Sequence, residues 1–66
     1  MLGVINCTEV VCVREEPDMN AGPIADLDNG TEVEIDISKS TDKFTNVCTA
    51  YGIEGYVLTR YVKTLG

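Results

Sequence analysis

The chain has no histidine and no tryptophan, one phenylalanine, two prolines, and five basic residues against eleven acidic ones. Each shortage removes a class of function. Without histidine, the usual general base near neutral pH is missing. None of the three cysteines then has its usual partner for generating a thiolate nucleophile. A structural zinc site takes four Cys or His ligands, and three cysteines with no close pair do not supply them. Nucleic acid requires several Lys and Arg facing phosphates, so a formal net charge of −6 argues against DNA or RNA. The same charge argues against an anionic membrane surface, and no apolar run approaches the ~20 residues of a membrane span. No basic segment followed by an apolar stretch comes after Met1, so no signal peptide is read. The chain is expected in the cytoplasm as it stands, or in the cell wall if it is a module cut from a longer exported protein.

What is present fits one small folded domain over residues 1–66. Hydrophobic residues make up 44% of the chain, too many for a disordered acidic tail. A 7.2 kDa chain buries roughly 60% of its unfolded surface, which leaves about 4,100 Å² exposed. Charge is divided unevenly. Residues 9–36 hold nine acids and the single base Arg14, whereas Lys39, Lys43, Arg60 and Lys63 face only Asp42 and Glu54 in the second half.

Period-two alternation is clearest over Thr31 to Ser38, where Val33, Ile35 and Ile37 alternate with Glu32, Glu34 and Asp36. Short runs rich in β-branched or aromatic residues cover Val4 to Cys7, Val10 to Val13, Phe44 to Thr49 and Gly55 to Leu58. Pro17, Gly22-Pro23, Asn29-Gly30 and Gly52 punctuate them with turn chemistry. No window carries a helical stripe of ten or more residues. About five short strands in so short a chain favour a small closed or half-closed barrel, all-β in class. Its expected core is Val11, Val13, Ile24, Leu27, Val33, Ile35, Val47, Val57 and Val62. Gly30 is expected at positive φ in the turn before Thr31. Cys7, Cys12 and Cys48 are odd in number and read as reduced thiols filling core or near-core gaps, with Cys12 facing away from Val11 and Val13.

The order of these pieces carries a resemblance. Val11-Cys12-Val13-Arg14 followed by Pro17, then Ile24 to Val33 with its turn at Asn29-Gly30, then Phe44 to Val47, and finally Tyr51-Gly52-Ile53-Glu54-Gly55-Tyr56-Val57 through Tyr61-Val62, together resemble the bacterial SH3 (SH3b) domain family. The likeness spans nearly the whole chain and implies an SH3-like barrel with a short helical turn near Thr59 to Tyr61. Three positions depart from the family pattern: Glu16 stands for a Gly, Phe44 for a Trp and Cys12 for an Asn.

No constellation favours catalysis. Asp26-Leu27-Asp28-Asn29-Gly30 begins like a calcium loop, but Gly30 stands where a donor is needed and Ile37 where a bidentate Glu would close the loop. It reads as a hairpin turn. Asn6-Cys7-Thr8 and Asn29-Gly30-Thr31 match the glycosylation triplet, which is common by chance. Adjacent Glu15 and Glu16 read as solvated loop acids. No enzyme activity, metal or cofactor is expected.

The SH3-like reading leaves a surface: Glu15, Glu16 and Asp18 on the long loop after the second run, with Phe44, Tyr51 and Tyr61 opposite. Aromatic faces beside acids can stack on an extended peptide and hold a cation. A ligand with a free amine or basic side chain is therefore expected to bind better than an anionic one. The resemblance implies a non-catalytic module that recognises a peptide, the peptide part of bacterial cell-wall peptidoglycan first, and so targets or tethers a larger protein. The alternative is an intracellular protein–protein adaptor of phage or mobile-element origin. A third reading is an acidic decoy that imitates nucleic acid.

Overall fold

Alternation of apolar and polar residues puts one face of each strand indoors, and the strand registers bring those faces together. In a computed structural model that describes residues 1–65, seven strands form one antiparallel sheet. They are β1 (Leu2–Ile5), β2 (Val10–Arg14), β3 (Pro23–Asp28), β4 (Glu32–Asp36), β5 (Phe44–Cys48), β6 (Glu54–Leu58) and β7 (Val62–Thr64). Their order across the sheet is β3-β2-β6-β5-β4-β1-β7. Cross-strand partners share a face, so the pairs Gly3–Val33, Ile35–Val47, Thr45–Val57 and Val11–Leu27 all point the same way. The sheet curls around that face. Ile5, Val11, Val13, Leu27, Val33, Ile35, Val47 and Val57 become one buried cluster, against which Cys7, Ile53, Tyr61 and Val62 pack. The exposed area is 4248 Å², close to the expectation for a compact chain of this mass.

The all-β, SH3-like class and the helical turn over Thr59–Tyr61 agree with the sequence reading. Gly30 has φ +90°, as the turn before β4 requires. Its amide donates to the Ile5 carbonyl at 2.7 Å, and the Asn29 side chain accepts from the Cys7 amide at 3.1 Å. One turn thus joins the ends of β1 and β3.

Four details differ from expectation. Seven strands replace about five, because β3 and β7 are edge strands whose residues are mostly wet and so show no buried alternation. Ile24, expected in the core, is 47% exposed: a register shift between Val13 and Arg14 turns it out of the barrel. Ile5 takes part in the core instead, at 1% exposure. The Thr31–Ser38 alternation ends early, at Asp36. The Asp36 carboxylate accepts from the Ser38 amide at 3.0 Å and from its hydroxyl at 2.6 Å, starting a 3-10 turn over Ile37–Lys39 that leaves Ile37 exposed. Val62 is half-buried at the core margin. All three cysteines are free and half-buried, and Cys12 alternates with buried Val11 and Val13.

Candidate functional site

The site forms where strand pairing stops. On one side β6 is zipped to β5 through five consecutive pairs, from Phe44–Leu58 to Cys48–Glu54. On the other side it meets β2 at one pair, Arg14–Tyr56. Gly55 permits this meeting. A Cβ there would lie 2.6 Å from the Arg14 carbonyl oxygen and 2.5 Å from Val13 Cγ1. Beyond Tyr56 the two strands part, and Leu58 leads into the 3-10 turn Thr59–Tyr61.

The segment 15–22 after β2 is held by its own polar groups. The Glu15 amide donates to the Gly22 carbonyl at 3.1 Å, and the Ala21 amide to the Asp18 carbonyl at 3.0 Å. The Asp18 carboxylate accepts from the Asn20 amide at 2.9 Å, a short side-chain-to-backbone turn of the kind Asp favours. From the strand, Arg14 Nη1 donates to the Ala21 carbonyl at 3.0 Å. The loop so braced brings exposed Met19 over the end of β6.

The facing wall comes from two segments tied together. The Thr59 amide donates to the Lys43 carbonyl at 2.8 Å, and the hydroxyls of Thr45 and Thr59 lie 2.9 Å apart. Between this wall and Met19 runs a cleft of about 540 Å³ lined by Met19, Asp42, Lys43, Leu58, Thr59 and Arg60. That volume lies within the range of small-ligand sites. Leu58 also borders a smaller hollow of about 150 Å³, at the parting of β2 from β6, where Cys7, Cys12, Arg14 and Tyr61 meet. The Arg60 guanidinium sits 5.0 Å above the Tyr61 ring and donates from Nη2 to its hydroxyl at 3.1 Å. This stacking limits where the guanidinium can go.

The expected site residues do not share one surface. Glu15, Glu16 and Asp18 are exposed on the 15–22 loop. Phe44 is 3% exposed and takes its place in the ladder beside Leu58, where it supports the cleft floor and is closed to a ligand. Tyr51 is 93% exposed in the turn beyond Cys48, at the other end of β5 from Phe44. Tyr61 borders the smaller hollow and packs on the core. Met19, Lys43, Leu58 and Arg60 were not singled out. Their signals were present but faint: Met19 is an apolar residue within a run of loop formers, and Lys43 and Arg60 belong to the basic half of the chain.

Two charged groups near the sheet's outer face are held by local partners. Lys39 Nζ lies 3.1 Å from Glu54 Oε2, and this carboxylate raises the ammonium pKa. The Ser38 hydroxyl holds the Asp36 carboxyl below its usual range, against a smaller opposing effect of burial. Among the described residues, neither Lys43 nor Arg60 is in an ion pair.

The small antiparallel sheet, curled into a barrel, carries a cleft between a braced loop and the end of a strand. The model of the bacterial SH3 domain family matches residues 9–63, and the chain belongs to that family. Domains of this family are typically binding modules without catalysis. No curated protein matches the chain.

Proposed function

We propose that this domain binds an extended peptide in the cleft between Met19 and Leu58, and that the peptide part of bacterial peptidoglycan is the ligand through which it targets or tethers a larger protein. The observation that carries the reading is the cleft itself. Its apolar floor is held by the β5–β6 ladder, its roof is a loop fastened by Arg14, and its volume of about 540 Å³ admits a short peptide. Membership of the bacterial SH3 family supports a peptide or protein as the ligand class. Glu15, Glu16 and Asp18 form the outer rim on this reading, and Tyr61 supports the cleft through Arg60. Phe44 backs the floor, and Tyr51 takes no part. One cleft of this size holds a peptide weakly, and attachment to an enzyme or to further modules raises the effective concentration.

Amide chemical shifts followed during titration with muropeptides test the proposal. Shifts at Met19, Lys43, Leu58, Thr59 and Arg60 are expected. Met19→Ser, an exposed change, should weaken binding about fivefold, the equivalent of half-burying one Met side chain. No shift with any wall fragment, or shifts confined to Tyr51 and its neighbours, would remove the wall-peptide reading.

A further inference from the structure

We infer that the cleft reads an acidic side chain beside an apolar one on an extended peptide, although the domain as a whole is acidic. The inference rests on the cleft being the ligand site and adds the chemical class of what it holds.

The cleft lining carries two cations, Lys43 and Arg60, against one acid, Asp42. Of the other cations, Lys39 is bound to Glu54 at 3.1 Å and Arg14 to the Ala21 carbonyl at 3.0 Å, while Lys63 lies exposed on β7, outside the cleft lining. Lys43 and Arg60 are exposed, and among the described residues neither has a carboxylate partner. They are also held as neighbours, because the Thr59 amide bonds the Lys43 carbonyl at 2.8 Å. Arg60 is further restrained by its stacking on Tyr61 and its bond to the Tyr61 hydroxyl. A guanidinium so restrained loses little freedom on binding a carboxylate.

Of the three loop acids, two are turned onto their own loop and Glu16 is exposed on the rim. The Asp18 carboxylate is turned back onto the Asn20 amide. Glu15 Oε1 lies over Gly22, 3.5 Å from where a Cβ would stand. The groups lining the cleft touch a ligand directly, whereas exposed rim charges act on it through water and salt, which weaken them over about 8 Å, so the lining carries the larger share of the field at the ligand. Met19 and Leu58 add an apolar surface beside the two cations, which fits an apolar side chain next to the carboxylate. On this inference the ligand preference is the reverse of the basic one expected from sequence.

The test uses three end-blocked tetrapeptides, acetyl-Ala-X-Leu-Ala-amide with X as Glu, Gln or Lys, followed by amide chemical shifts at low and at physiological salt. The Glu peptide should bind about threefold more tightly than the Gln peptide and better still than the Lys peptide, with the differences shrinking as salt is added. Lys43→Glu, an exposed change that makes the lining net negative, should reverse the order so that the Lys peptide binds best. Equal binding of all three at Met19, Leu58 and Arg60 would overturn the charge inference while leaving the peptide-binding cleft in place. Tighter binding of the Lys peptide by the unaltered domain would also overturn it. Absence of shifts in the cleft with every peptide would remove both readings together.

Discussion

The two edges of β6 behave differently. Towards β5 it forms five consecutive pairs, with Thr45 opposite Val57 and Val47 opposite Gly55 on the buried face. Towards β2 it forms one, at Arg14–Tyr56. The zipped edge makes the barrel and the parted edge makes the site, because both hollows that touch Leu58 lie where β6 no longer has a β2 partner. A domain of this size cannot hollow out its core for a ligand without losing much of its stability, which is of the order of 3–10 kcal/mol. Ending one ladder early provides a cavity at the surface and leaves the core intact.

The largest effect should come from disturbing the close approach of β2 to β6 at Gly55. Gly55→Ala would push a methyl group against the Arg14 carbonyl, which is backbone and cannot swing aside. A loss of about 2–3 kcal/mol is expected, at the upper end for overpacking. Urea denaturation would measure it, and an unchanged midpoint would mean that β2 and β6 are not so close. Hydrogen exchange sharpens the same comparison: amides bonded across β5–β6 should be the slowest, and those of β2 beside the hollow faster.

A second variant acts on neither edge. At Gly30 an added Cβ meets nothing within 4 Å, so the main cost of Gly30→Val is the backbone strain of φ +90°. About 1–2 kcal/mol is expected, visible as a lower melting temperature without any change in cleft chemical shifts. If cleft shifts moved as well, the β3–β4 turn would be coupled to the parted edge.

The smallest effects are in pH dependence and belong to the outer face near the zipped edge. Asp36 has a folded pKa below its unfolded value, chiefly through the Ser38 hydroxyl. Its contribution is therefore present above about pH 4 and lost as pH falls through the lower folded value. Lys39 has a raised folded pKa because of Glu54, so its contribution is present below about pH 10.4 and lost as pH rises through the folded value. Ser38→Ala should lower the melting temperature slightly at neutral pH, and the difference from the unaltered domain should vanish in acid. Glu54→Gln should do the same with the difference vanishing in strong alkali. Differences constant across pH would assign these residues no ionic role.

Much of the barrel was legible in the chain, because burial of one strand face imposes period two on residues such as Val33 and Ile35 or Val11 and Val13, and positive φ calls for Gly30. The order of turns and runs was enough to indicate the family. Ile24 and Ile37 show where that reading fails. Each is apolar at an apolar-looking position, yet a register shift exposes one and the Asp36 turn exposes the other.

The site was less legible, since it depends on contacts between segments far apart in sequence. Loop acids and aromatics suggested a groove from residue type alone, but type does not say that Phe44 lies buried in the ladder or that Asp18 turns back onto its own loop. Composition and alternation determined an acidic all-β domain with one core, because hydrophobic burial depends on which residues are apolar and at what period. Only the tertiary structure decided that β6 parts from β2 and that Met19, Lys43, Leu58 and Arg60 face one cleft, because the place where a ladder ends is set by register and close approach across strands.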